Sequence, residues 1–197
     1  MKRYYIILIL VGFSLFVLAQ NELDKCYIDV RNGDTIKTTD WTILKKESDC
    51  FIVFRLTQKN SQLKLMLKYH FGNYGVFTVA DTDNVWLKLF DGRTIILKSD
   101  TNIIATKGGA KFGLTGIVVP GVCVPYTISK ENNFLLQSST VVKLRIFSSY
   151  GHIDVKLEGI GASINNAFRI ISITPKKIKK IIPEAEGRED DVKEEPW

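Results

Sequence analysis

The chain has 197 residues, of which 45% are hydrophobic and 24% charged, and its formal net charge is +6. This composition excludes a chain disordered throughout, and the length suits one domain rather than two. Two histidines and three cysteines are too few for a multi-ligand zinc site or a disulfide-dense miniprotein.

Residues 1–19 read as a secretory signal peptide. Lys2 and Arg3 supply the cationic start, residues 4–18 form an apolar run, and Val17-Leu18-Ala19 precedes polar Gln20-Asn21-Glu22. The run is shorter than the roughly 20 apolar residues a spanning helix requires, so no stable membrane insertion is expected after cleavage. Cleavage after Ala19 removes two cations and no acid, taking the net charge from +6 to +4. The expected location is therefore secreted, periplasmic or at the outer envelope. A weakly basic exported protein is a poor candidate for binding nucleic acid, and none is expected as partner.

A single β-rich domain is expected over residues 24–174. Cys26-Tyr27-Ile28-Asp29-Val30 alternates, Asn32-Gly33 marks a hairpin turn, and residues 35–39 are rich in β-branched side chains. Residues 41–44 continue or restart that strand. Residues 51–56 are almost continuously apolar, which predicts a central strand buried on both faces. Residues 63–69 alternate, with Leu63, Leu65, Leu67 and Tyr69 on one side and Lys64 and Lys68 on the other.

Short strands are predicted at 76–79, 85–89, 94–97 and 102–105, and Asp91-Gly92 is the strongest hairpin signal in the chain. Residues 107–121 hold five glycines and read as a long loop or hairpin excursion, with Gly108 to Gly113 a mobile loop with left-handed turns. Residues 122–128 return to β, with Pro125 favouring an edge. Ser129 caps a short helix to Leu136. Strands at 141–147 and 153–157 flank Tyr150-Gly151, and Ile164, Ala167, Phe168 and Ile171 recur at helical spacing.

After Pro175 come Lys176-Lys177-Ile178-Lys179-Lys180 and seven acids between Glu184 and Glu195, so residues 175–197 are read as a charged, disordered tail. Short strands with frequent turns predict a mainly β fold: an antiparallel sandwich or partly open barrel with one or two short helices, the last near the C-terminus.

Export places Cys26, Cys50 and Cys123 where disulfides persist. In a simple meander, Cys26 and Cys50 fall two strand spacings apart, about 9–10 Å. That exceeds the roughly 7 Å limit for a bridge, so a Cys26–Cys50 disulfide requires the chain to cross between sheets. Neither histidine is near a cysteine in sequence, and no catalytic cysteine is expected.

Trp41-Thr42, Phe54-Arg55-Leu56, Trp86-Leu87-Lys88-Leu89, Asp91-Gly92, Lys107-Gly108-Gly109-Ala110, Tyr126-Thr127-Ile128-Ser129 and Lys143-Leu144-Arg145-Ile146 follow one another in a distinctive order. In that order the chain resembles a group of small secreted β-rich proteins of unknown function from Bacteroidetes-type bacteria. The resemblance implies an exported β fold and supplies no catalytic residues. The cysteines and charged tail are not features of that group.

Candidate chemical motifs fail on spacing. In Gly108-Gly109-Ala110-Lys111-Phe112-Gly113 the lysine lacks the following Ser or Thr of a phosphate loop. Asp81-Thr82-Asp83-Asn84 begins like a calcium loop but has Trp86 and Gly92 where Gly and Glu are required. His152 and Asp154 share a strand face, with no nucleophile placed beside them; a raised acid in a deep pocket there is what a hydrolase would require. His70, between Tyr69 and Phe71, reads as a surface residue. Tyr69, Phe71 and Tyr74 are the candidate ligand-binding residues, since aromatic rings on a β surface stack on sugars or anchor a protein partner; the alternative is that they complete the core. No metal, cofactor or catalytic residue is assigned. The expected function is non-enzymatic binding of an envelope or extracellular protein or glycan. The alternatives are an envelope hydrolase with an unrecognised site and an assembly component that pairs through a strand edge.

Overall fold

The computed structural model describes residues 23–72, 75–173 and 179–181. The described residues are mainly β, built from largely antiparallel sheets, with two helices and no closed barrel among them. The predicted signal peptide, Tyr74 and most of the predicted tail lie outside the described residues.

The larger sheet begins with β1 (Leu23–Asp29) and β2 (Thr35–Thr39), joined through Gly33 at φ +73°. The chain then restarts as β3 (Thr42–Lys46), which pairs with one end of β4 (Cys50–Lys59), while β2 pairs with the other end. A tight turn at Asn60, φ +54°, leads into β5 (Gln62–Phe71), paired with β4 along its whole length. Asn60 tolerates this left-handed backbone because its side chain accepts from the Thr35 amide and donates to Asp34.

Four short or turn-linked strands follow: β6 (Thr78–Val79), β7 (Asn84–Leu89), β8 (Thr94–Lys98) and β9 (Ile103–Ile104). Then β10 (Thr106–Lys107) and β11 (Pro120–Ile128) bracket the glycine-rich loop. Eight residues of β11 pair with β5, but only two pair with β10, which leaves Pro125 at an edge, as its missing N–H requires. Helix α1 (Lys130–Ser138) starts where Ser129 accepts from the Asn132 amide. Strands β12 (Val141–Ser148) and β13 (Gly151–Lys156) form a hairpin turning at Gly151, and α2 (Gly161–Ser172) follows.

The second sheet has the order β13-β12-β7-β8. Leu65, Leu67 and Tyr69 from the larger sheet join Val85, Leu87, Leu144 and Ile146 from the smaller one in a single contiguous core. Each strand gives one side chain in two to this core, so the two sheets form the layers of a sandwich. Ile164, Ala167, Phe168 and Ile171, the predicted apolar stripe of α2, are buried in the same cluster.

β4 is buried on both faces, and the second cover is unexpected in its form. The glycine-rich loop, read from the sequence as mobile, is seated on the outer face of β4 and β5. Phe112 lies 5.9 Å from the Phe51 ring, and Ala110 is fully buried. Close approach explains the glycines. A Cβ on Gly121 would meet the Ala110 Cβ at 2.6 Å, and one on Gly116 the Ala110 carbonyl oxygen at 2.9 Å. His70, expected on the surface, is beneath this loop, stacked on Phe51 at 5.6 Å.

One further expectation changes. β14 (Lys179–Ile181), placed by the sequence reading in the tail, pairs in parallel with β1. Backbone pairing with an open strand edge requires no hydrophobic pattern, so composition gives no warning of it. The cysteines are two strands apart, as expected in a meander, and register separates them further. Cys26 aligns through Lys37 with Gln58, and Cys50 is eight residues along β4 from that row, about 26 Å at the usual strand rise. All three thiols are free.

Candidate recognition face

Tyr69 and Phe71 share a face, as expected of β5, but that face is the core. Tyr69 is 0% and Phe71 2% exposed, and their rings pack on each other at 5.3 Å and on Phe77 at 6.0 and 5.5 Å. Rings enclosed in this way offer no face to a ligand. Burial raises the Tyr69 and Tyr126 phenols well above their usual pKa, so both remain protonated.

His152 and Asp154 stand on β13, on the outward side of the smaller sheet. Asp154 is clamped by Arg145, whose Nε and second guanidinium nitrogen donate at 2.6 and 2.8 Å, and by Lys143 Nζ at 2.6 Å. The hydrogen bonds from Arg145 hold its carboxyl far below the ordinary carboxylate range. A permanently ionised, doubly paired carboxylate is the opposite of the raised acid that a general acid–base site requires. Buried Cys50 has its thiol pushed up to about 11, and burial also raises Cys123, so neither supplies a ready thiolate. In the calcium-like segment, Asp83 accepts from the Ala80 amide and acts as a turn former. Among the described residues, no three His, Cys, Asp or Glu side chains group closely enough to hold a metal.

A polar recess of about 310 Å³ lies beside Lys37. Its lysine donates to the carbonyls of Ile171 and Ile173 at 3.4 and 3.2 Å, capping the C-terminal end of α2. That role is structural.

The outward face of the smaller sheet has a different character. Strand register sets its side chains in rows running across the sheet. One row is Thr94, Lys88, Lys143 and Lys156; the next is Ile96, Trp86, Arg145 and Asp154. Beyond them, Phe147 is opposite His152, and Asn84 is opposite Lys98. The aromatic rings are in contact: Trp86 to Phe147 at 5.2 Å, and Phe147 to His152 at 5.7 Å. Arg145 lies over the Trp86 ring at 5.6 Å. Trp86, Lys88, Thr94, Lys143 and Arg145 line a shallow recess of about 200 Å³.

Five cations on these outward positions face one carboxylate, Asp154. Lys88 and Lys156 are exposed, with no ion-pair partner among the described residues. Sequence reading had quoted Trp86 and Lys143 only as fold signatures. The outward alternation Trp86, Lys88 and Lys143, Arg145, Phe147 was legible, but not that register would set the two runs side by side. In comparisons with known protein families, curated proteins and solved structures, the chain matches none.

Proposed function

We propose that this chain is an exported β domain that performs no reaction and recognises an envelope or extracellular partner, protein or glycan, through the outward face of its smaller sheet. The observation that carries the reading is the contacting Trp86–Phe147–His152 series beside Lys88 and Lys156, which have no ion-pair partner among the described residues. Partly exposed aromatic rings supply rigid, amphipathic contact area at low entropic cost. The N-terminal leader pattern and the resemblance to small secreted β-rich proteins support the location. No described helix is long and apolar enough to cross a membrane.

The test uses the protein recovered from expressing cells. Its N-terminus is sequenced, and its retention on immobilised envelope and culture-medium fractions is compared with that of Trp86→Ala and Phe147→Ala. The reading expects an N-terminus at Gln20, a protein outside the cytoplasm, and retention that falls in both variants without loss of the β circular-dichroism spectrum. Retention unchanged by both substitutions overturns the assignment of the face. An intact leader on a cytosolic protein overturns the location.

A further inference from the structure

The lysine row is unfavourable for the fold, and this makes it informative. Lys88 is directly opposite Lys143, and Lys143 directly opposite Lys156, across three neighbouring strands. Like charges in directly opposed positions destabilise a sheet. Among the described residues, Lys143 alone of the three has a carboxylate partner, Asp154. The turn and core requirements of β7, β12 and β13 are met by other residues: Gly92, Gly151 and the inward Val85, Leu87, Leu144, Ile146 and Val155. Among the described residues nothing calls for three lysines in line, and an anion is their natural complement.

We infer that the ligand of this face is an acidic polysaccharide, laid across the strands so that its carboxylate or sulfate groups follow the Lys88–Lys143–Lys156 row while a sugar ring rests on Trp86. The inference rests on the assignment of the face made above. Strand spacing puts neighbouring lysines about 4.8 Å apart and the row about 10 Å long, a linear array suited to a linear polyanion. On the same face, the aromatic row is one side-chain step away, about 7 Å along the strands. Arg145, held by Asp154 over the Trp86 ring, fixes the ring and links the two rows.

The experiment measures binding of polygalacturonate, dextran sulfate, neutral dextran and a single-stranded oligothymidylate to the recovered protein over a salt series. Wild type is expected to bind polygalacturonate or dextran sulfate and not neutral dextran, with affinity falling as salt rises. Which of the two acidic polymers binds more tightly separates carboxylate from sulfate recognition. The Lys88→Gln, Lys156→Gln double variant is expected to bind at least about tenfold more weakly and with a shallower salt dependence, as follows from losing two ionic contacts. Trp86→Ala is expected to weaken binding while leaving the salt dependence unchanged.

Binding unaffected by the lysine changes, equal binding of neutral dextran, or tighter binding of the oligothymidylate overturns the inference. If no acidic polymer binds, yet envelope retention still depends on Trp86, the inference fails and the assignment of the face stands. If neither depends on Trp86, the assignment itself fails.

Discussion

Replacing His70 with Phe isolates the effect of a histidine buried beneath the glycine-rich loop. His70 is 5% exposed, and neither ring nitrogen has a hydrogen-bond partner among the described residues. Burial lowers its pKa below the ordinary 6.5, because a charged imidazole there loses its water. The unfolded chain therefore takes up a proton at a pH where the folded protein does not. His70 is neutral in both states well above pH 6.5, so stability is greatest there and declines as pH falls through 6.5 toward the folded value. Within that window the slope from this one group has a ceiling of about 1.4 kcal/mol per pH unit.

His70→Phe keeps a ring stacked on Phe51 and removes the titration. Urea unfolding of both proteins from about pH 7.5 to about pH 5.5 measures the difference, because carboxylate contributions are common to the two. The wild type should lose more stability than the variant over this range, at matched m-values. The extra ring atom shifts absolute stability, so the slope is the readout. Equal slopes, or a wild type that gains stability as pH falls, would refute the burial argument and with it the seating of the loop on the sheet.

Other outcomes follow from single contacts. Gly161→Ala should destabilise by about 1–3 kcal/mol in denaturant melts, because the new Cβ strikes the Val141 carbonyl. Helix propensity alone would give the opposite sign. Asp154→Asn should tighten acidic-polysaccharide binding by freeing Arg145 and Lys143, while exposure of the pair keeps the stability change within about 1 kcal/mol. Denatured, unreduced protein should titrate three free thiols and yield no peptide linking Cys26 to Cys50 by mass spectrometry.

Much of the fold was legible because its signals are local. Alternation in 63–69, the apolar run in 51–56, the glycines at positions 33, 92 and 151, and the Ser129 cap each depend on near neighbours in sequence. Each appears in the structure at or within a few residues of its expected place. The candidate site was less legible. Tyr69 and Phe71 were correctly put on one face, but a period of two does not say which face is covered. That depends on the second sheet, whose strands come later in the chain.

The sequence by itself determined the class of fold, the short helices and the strand periodicity, since backbone sterics and side-chain alternation act over a few residues. Tertiary structure alone decided that Lys88, Lys143 and Lys156 stand in line, that His70 is beneath a loop, and that residues 179–181 extend an edge. These depend on register between strands separated by ten to about fifty residues or more, or on which surface a loop finds to cover. Core burial selects such a register from the whole chain at once, and no local window of sequence contains that sum.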